Sequence, residues 1–306
     1  MTIETIRIGT RGSALALWQA RYTRSRLEAL APGAAVQIEV IKTSGDLIQD
    51  RALLEVGGKG LFVKEIQVAL LKGEVDLAVH SLKDYPAENP EELTLACVPQ
   101  RQDPRDALVL PQGKPEHDLP ARPRVGTGSL RRQHQAQASF PAWVLSGLRG
   151  NVDTRLRKVD SGELDAVILA AAGLNRLGHG DRITRLFSRD EMVPAVGQGA
   201  IALETRRDGA GVIELLSKMQ DEKARREIDA ERRFLVGLGG SCTTPLGIHA
   251  ELDGRRMLLR GFLSSIDGSR QIRDRVEGPA EEASKLADEL LQRFWKAGAA
   301  ELLAGG

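Results

Sequence analysis

Two groups in this chain have the surroundings needed for chemistry, a thiol and a carboxylate. Cys242 lies in the run Glu231-Arg232-Arg233-Phe234-Leu235-Val236-Gly237-Leu238-Gly239-Gly240-Ser241-Cys242-Thr243-Thr244-Pro245-Leu246-Gly247. A charged, helix-forming stretch ends in glycines, and the glycines present one thiol just before a proline. The other cysteine, Cys97, is far away in sequence, so no disulfide framework is implied. A lone thiol on such a loop reads as a point of covalent attachment or as a nucleophile. No histidine motif pairs with it. His249 falls in a strand pattern and is expected to point to a sheet face, which argues against a thiol hydrolase. Cys97 reads as a small buried hydrophobe.

The carboxylate is Asp84, in Val79-His80-Ser81-Leu82-Lys83-Asp84-Tyr85-Pro86. An apolar strand ends here in a polar cluster stopped by proline. At the end of a buried strand a carboxylate can stabilise a cationic intermediate; the plainer alternative is a surface pair with Lys83. Arginines recur at strand ends and helix starts: Arg11 beside Ser13, Arg131 and Arg132 after Thr127 and Ser129, then Arg149, Arg155 and Arg176. Each alone reads as a solvated helix-start arginine. As a group they suit an anion site, because free helix N–H groups and guanidinium forks both favour carboxylates.

Two tempting motifs fail. Gly57-Gly58-Lys59-Gly60 has Gly60 where a nucleotide P-loop needs Ser or Thr, and Gly126-Thr127-Gly128 has Arg131 where a dinucleotide fingerprint needs its third glycine. There is no CxxC pair and no HExxH, and the five histidines are scattered, so no protein-built metal site is expected.

The 306 residues suggest two or three domains, and the 42% apolar content suffices for buried cores. Net charge is +1, which gives no global field directed at nucleic acid or membrane. No apolar run approaches the roughly 20 residues that span a bilayer. Met1 to Gly9 lacks a signal-peptide core, and two distant cysteines suit a reducing compartment. The expected location is the cytoplasm, with a plastid as the alternative. Of the 43 basic residues 32 are arginine, which a GC-rich genome would also produce, but genome composition does not explain where they cluster.

These groups need elements to hold them. Ile6, Ile8 and Gly9 open a strand, Thr10 to Ser13 turn, and a helix is predicted from Ala14 to about Leu30 with Ser13 as its N-cap. The same grammar returns at Val125 to Gln133. Gly73-Glu74-Val75-Asp76 is echoed by Gly162-Glu163-Leu164-Asp165, each a C-cap glycine leading into a buried strand after a helix with an apolar stripe. Two related α/β units are therefore expected, about Met1 to Pro99 and Pro104 to Val193. The longer interval from Gly9 to Gly73 implies an insertion in the first, with Lys42 to Gly60 as its candidate. The third part reads as α-β-β-β-α: a charged helix from Asp221 to Val236, strands near Ile248 to Leu252, Arg256 to Leu263 and Arg270 to Val276 separated by Asp-Gly turns, and a helix from near Pro279.

The Cys242 run resembles the cofactor-attachment loop of the porphobilinogen deaminase (hydroxymethylbilane synthase) family at every fixed position of that loop's pattern. Eight further stretches are similar to the same family in the same order: Ile8 to Ser13, Gly57 to Lys64, His80 to Pro86, Asp103 to Ala107, Gly126 to Arg132, Leu148 to Arg155, Ala170 to Leu177 and Pro194 to Ala200.

The resemblance implies an α/β fold with two doubly wound domains, like type-II periplasmic binding proteins, around a cleft. A small α+β domain with a three-stranded antiparallel sheet carries the cysteine. The implied division is 1–99 with 194–217, then 104–193, then 221–306. The implied reaction joins four porphobilinogen molecules head to tail with loss of ammonia, and water then releases hydroxymethylbilane. Cys242 would carry a dipyrromethane cofactor through a thioether. Asp84 would be the catalytic group, stabilising the azafulvene cation left when ammonia departs. Lys83, Asp84, Thr127, Ser129, Arg131, Arg132, Ser146 and Gly150 match cofactor contacts. Arg11, Ser13, Lys59, Phe62, Arg149, Arg155, Arg176 and Gln198 match substrate or chain-extension positions.

A chain growing to six rings, cofactor included, accumulates twelve carboxylates, which accounts for the arginines. Glu55, Gly128 and Tyr85 depart from the family's commonest lysine, serine and valine. The partner implied is porphobilinogen, bound by a monomer without nucleic acid or membrane. The competing reading is an anion-binding receptor or regulator module without catalysis.

Overall fold

The computed structural model describes residues 4–44, 63–240 and 244–304. In chain order its strands are β1 (Thr5–Thr10), β2 (Ala35–Val40), β3 (Leu77–Ser81), β4 (Leu93–Cys97), β5 (Asp106–Val109), β6 (Arg124–Gly126), β7 (Val144–Ser146), β8 (Ala166–Ala170), β9 (Arg185–Leu186), β10 (Ile201–Arg206), β11 (Leu246–Asp253), β12 (Arg256–Ser264) and β13 (Gln271–Pro279). The helices are α1 (Ala14–Leu30), α2 (Lys64–Leu71), α3 (Leu130–Ser139), α4 (Val152–Asp160), α5 (Ala171–Arg176), α6 (Ala210–Ser217), α7 (Glu222–Leu238), α8 (Ala283–Lys296) and α9 (Ala299–Ala304). The chain divides into two compact units, Met1–Gln102 with Ala200–Arg225, and Asp103–Gly199 with Arg226–Gly306.

The first unit is built on a five-stranded sheet of order β2-β1-β3-β10-β4. β1 runs parallel to β2 and β3, and β10 is antiparallel to β3 and β4. Alternate residues of β3 enter opposite layers. Leu77 and Val79 pack with Ile6, Ile8 and the α1 residues Ala20 and Leu27, whereas Ala78 packs with Ile66, Ala69 and Leu70 of α2. A strand buried on both faces needs apolar residues throughout, which is why β3 reads as a continuous apolar run.

The second unit holds a sheet of matching order, β7-β6-β8-β5-β9, with β6 parallel to β7 and β8 and with β5 antiparallel to β8 and β9. Its two layers separate Ala107, Val109, Val167 and Leu169 from Leu108, Ala166 and Ile168. The two mixed sheets are the doubly wound α/β architecture expected from the resemblance.

The echo between the units extends to individual hydrogen bonds. Gly73 and Gly162 take φ of +69° and +76°, where glycine is favoured because it lacks Cβ. Three residues on, Asp76 accepts from Arg7 N (2.9 Å), Nε (3.0 Å) and Nη2 (2.8 Å). Asp165 accepts from the same atoms of Arg124 at 2.7, 3.2 and 3.0 Å. Each carboxylate thereby registers the start of one central strand against its parallel neighbour. The candidate insertion falls mostly on residues 45–62, which lie outside the described residues.

The remainder of the second unit is an antiparallel sheet of order β11-β12-β13, turned at Asp253-Gly254 and Asp267-Gly268 as expected. Phe234 of α7 and Phe294 of α8 meet edge to face at 5.1 Å. The last helix begins later than the sequence suggests. β13 continues through Pro279, whose φ and ψ are −60° and 137°, and a 3-10 turn at Ala280–Glu282 precedes α8. Glu281 and Glu282 therefore occupy that lead-in turn.

Gly126 closes β6 where an added Cβ would stand 2.5 Å from Leu164 Cδ1 and 3.2 Å from Leu148 Cδ2. Overpacking of this kind costs about 1–3 kcal/mol. Gly126→Ala should lower the denaturant midpoint by a corresponding amount with an unchanged slope; an unchanged midpoint would contradict this packing.

Candidate active site

Asp84 owes its place to the end of β3. Ser81 finishes the strand, and Leu82–Asp84 make one 3-10 turn. Leu82 is buried and its N–H donates to Ala200 O at 3.1 Å, while Tyr85 N–H donates back to Leu82 O at 3.0 Å. Tyr85 is extended, and Pro86 follows it. Half-buried Asp84 lines a pocket of about 70 Å³ with Arg11, Ser13, Gln19, His80 and Ser81. Ser13 caps α1 as the sequence predicts, its Oγ accepting from Ala16 N–H at 3.3 Å. Gln19 Nε2 donates to Ser81 Oγ at 2.8 Å and joins helix start to strand end. Arg11, Ser13 and Asp84 thus stand around one pocket within the first unit. Lys83 is half-buried in the same turn. Lys59 and Phe62 lie outside the described residues, as does Glu55.

The second unit gathers the arginines around a carboxylate that the motif reading passed over. Asp106 begins β5 and is fully buried. It accepts from Arg131 Nη1 at 2.7 Å, Arg132 Nε at 2.8 Å and Gln198 Nε2 at 2.9 Å. Arg131 also donates to Val193 O at 2.6 Å and Arg132 to Ile168 O at 3.1 Å. Burial pushes the Asp106 carboxyl up, but the two guanidinium groups outweigh that and hold it down at about 2. Burial lowers Arg132, with Asp106 opposing and Arg131 adding repulsion. Arg155 is pushed down to about 10 by burial and then by Arg132. Among the described residues, Asp106 is the one carboxylate hydrogen-bonded to this group. Two guanidinium groups therefore meet one carboxylate, and Arg155 adds a third positive charge near Arg132.

Around them the helix starts are arranged as expected. Thr127 is buried, and its N–H donates to Ser146 O at 3.0 Å. Ser129 stands at the N-cap position of α3 yet makes no side-chain cap, unlike Ser13. Gly128 lets the Leu148 carbonyl come close; a Cβ there would sit 2.4 Å from that oxygen. Ser146, Arg149 and Gly150 are exposed. Arg155 Nε donates to Gly150 O at 2.8 Å, and Asn151 caps α4 through Thr154 N–H at 2.9 Å. Arg176 is buried at the end of α5, with Nη2 donating to Gly199 O at 2.7 Å.

The helix that leads toward the cysteine loop is pinned by Glu231, the first residue of the motif run, to which the sequence assigns no role of its own. Glu231 is fully buried and accepts from Gly197 N–H at 2.7 Å and Ala250 N–H at 2.9 Å, with His249 Nδ1 at 3.2 Å. His249 is thus held in a buried pair. α7 ends at Leu238, and Cys242 itself lies outside the described residues. Burial pushes the Cys97 thiol up to about 12, which keeps it protonated and unreactive.

Together these features define a class: an α/β protein with two doubly wound units, one presenting a pocket carboxylate and the other a buried guanidinium cluster suited to polycarboxylates. Sequence comparison supplies the family. Residues 6–214 match the porphobilinogen deaminase dipyromethane cofactor-binding domain, and residues 225–296 match the porphobilinogen deaminase C-terminal domain. The chain is 47% identical to porphobilinogen deaminase of Syntrophus aciditrophicus over 97% of each sequence. It is 45% identical to that of Geobacter metallireducens over 99% of this chain and 95% of the relative. For Roseiflexus sp. the identity is 48% over 99% of each. The solved structure of the methionine-binding protein MetQ covers 72% of this chain and 92% of its own at 11% identity with a TM-score of 0.46, a likeness too distant to weigh.

The chain belongs to the porphobilinogen deaminase family. It is accordingly a transferase of tetrapyrrole biosynthesis with a dipyrromethane-binding domain. That membership leaves the non-catalytic receptor or regulator reading without support. The donor set fits the cofactor's chemistry, since a dipyrromethane brings carboxylates to a site whose positive charge exceeds its own counter-charge.

The folded Asp106 carboxyl lies below its ordinary value, so its ionisation stabilises the fold at pH above about 4 and that contribution disappears as pH falls toward 2. Removing one partner of a buried ion pair costs about 3–5 kcal/mol. Asp106→Asn should be destabilised by that order at pH 7, and the gap to wild type should narrow between pH 4 and 2 in denaturant titrations. Equal stability at pH 7 would refute the pairing.

Proposed function

We propose that Asp84 is the catalytic carboxylate of this transferase, that Cys242 carries dipyrromethane through a thioether, and that the arginine cluster of the second unit holds acid side chains of the growing chain. The observation that carries this reading is the excess of guanidinium charge around Asp106. A buried cationic excess is unfavourable until an anion joins it. Arginine's planar fork matches a carboxylate through two parallel hydrogen bonds.

When bound, the dipyrromethane supplies the free pyrrole carbon to which substrate is added. The protein's own groups do the rest. Porphobilinogen becomes a cation on losing ammonia, and Asp84 stabilises that charge by accepting a hydrogen bond from the pyrrole N–H. The same carboxylate relays the proton released when the ring regains aromaticity. Arg11 and Ser13, which line the pocket with Asp84, take the incoming substrate's acid groups. Arg131, Arg132, Lys83, Thr127, Ser129, Ser146 and Gly150 hold the cofactor. Arg149, Arg155, Arg176 and Gln198 take the carboxylates of later rings. Lys59 and Phe62 are assigned to substrate binding by the resemblance of Gly57 to Lys64.

Division of labour follows the segments 1–99 with 194–217, 104–193 and 221–306. The protein acts on porphobilinogen as a cytoplasmic monomer that uses no nucleic acid. Among the described residues, no helix is long and apolar enough to cross a membrane.

Thiol counting and mass test the tether together. Active protein should weigh two pyrrole units more than its 33.2 kDa chain. It should show no reactive thiol when native and one, from Cys97, when unfolded. Two thiols in unfolded active protein, at bare-chain mass, would refute the thioether. Asp84→Asn should keep the added mass and lose at least about 100-fold in kcat; wild-type turnover would remove Asp84 from its role.

A further inference from the structure

Beneath the catalytic turn lies a buried carboxylate to which the reaction assigns no part. Glu204 follows the apolar residues Ile201 to Leu203 in strand β10 and is fully buried. A buried carboxylate is costly unless its lone pairs are filled. Glu204 Oε1 accepts from Tyr85 Oη and from Gln67 Nε2, both at 2.9 Å, and Oε2 lies 3.1 Å from His80 Nε2. The second Gln67 amide hydrogen goes to Asn89 Oδ1 at 2.9 Å. His80 and Tyr85 are themselves buried, with ring centroids 5.8 Å apart. They are the residues on either side of the Ser81–Asp84 segment.

We propose that Glu204 is the positioning residue of the catalytic turn, clamping it from both ends through His80 and Tyr85. Tyr85 and Gln67 both donate to Glu204 Oε1, and a proton on His80 Nε2 is the donor that suits Oε2. The strand beneath is rigid: Ala202 of β10 pairs with His80 of β3, and Ala200 O receives the Leu82 N–H. One point on β10 therefore sets where Asp84 stands in the pocket it shares with Arg11 and His80. Tyr85 Oη supplies the second arm, donating to Glu204 Oε1 at 2.9 Å.

The inference rests on the reading of Asp84 as the catalytic group, and the test separates the two. Tyr85→Phe, Glu204→Gln and Asp84→Asn are compared as cofactor-loaded proteins whose loading is checked by mass. Misplacing a reacting group by about 1 Å can cost on the order of 100-fold. Glu204→Gln should lower kcat by about 10- to 100-fold with KM within about twofold, and Tyr85→Phe should lower kcat by about three- to tenfold. The double variant should be no worse than Glu204→Gln alone, because both act through one clamp. Nitrogen-15 NMR of the cofactor-loaded protein should find His80 protonated on Nε2, its signal being the one lost in His80→Asn. In Glu204→Gln, whose amide can both donate and accept, that tautomer should no longer be fixed.

Unchanged kcat in Tyr85→Phe and Glu204→Gln, or a His80 proton on Nδ1 in the wild type, would overturn the clamp. If Glu204→Gln fails to fold, Tyr85→Phe decides alone, and wild-type kcat there overturns the proposal. An inactive Asp84→Asn beside unaffected clamp variants defeats only this inference, whereas an active Asp84→Asn defeats the catalytic assignment itself.

Discussion

The arrangement on which the rest depends is one buried carboxylate shared by two buried arginines. Asp106 satisfies Arg131 and Arg132 in part and holds their side chains on two neighbouring residues of α3. It cannot neutralise both, and Arg155 adds a third positive charge close enough to Arg132 to be lowered by it. Such a group is stable enough to be built and is still short of negative charge. That combination suits a ligand whose recognisable feature is repeated acid side chains, because each new carboxylate meets a guanidinium already held in place. Pre-ordering the arginines spares the entropy of gathering them when the ligand arrives.

The two units use one design for different ends. Both start from a strand, a Gly-Thr or Thr-Arg-Gly turn and a helix, and both lock the central strands with an arginine–aspartate fork, Arg7 to Asp76 and Arg124 to Asp165. At the functional ends they diverge. In the first unit Ser13 caps α1, and Asp84 lines a pocket just beyond the end of β3. In the second unit Ser129 makes no side-chain cap and arginines follow it at once. The fold thus provides two similar platforms, one ending in a pocket carboxylate and one in a cluster of arginines.

Local signals carried most of the architecture into the sequence. The Gly-Glu-x-Asp echo, the Ser13 cap, the Asp-Gly turns and the strand that leads to Asp84 each depend on neighbouring residues, so each could be read directly. Asp106, Glu204 and Glu231 could not be read this way. Their partners stand tens of residues away or more, as with Glu204 and Tyr85, and only folding brings them together. A faint signal existed, since Asp106 directly precedes and Glu204 directly follows an apolar run, and a charge beside such a run needs a partner if it is buried. The late start of α8 was missed because β13 runs through Pro279, where proline also reads as a helix start.

Asp84 and the arginine cluster are linked by what the substrate requires, a stabilised cation at one ring and restrained acids on the others. The most direct measurement is a crystal structure of the cofactor-loaded protein. The account predicts cofactor carboxylate oxygens about 2.7–2.9 Å from guanidinium nitrogens of Arg131, Arg132 or Arg155, with Asp106 still in place between the first two. A loaded structure in which those three arginines touch only protein groups and water would contradict it.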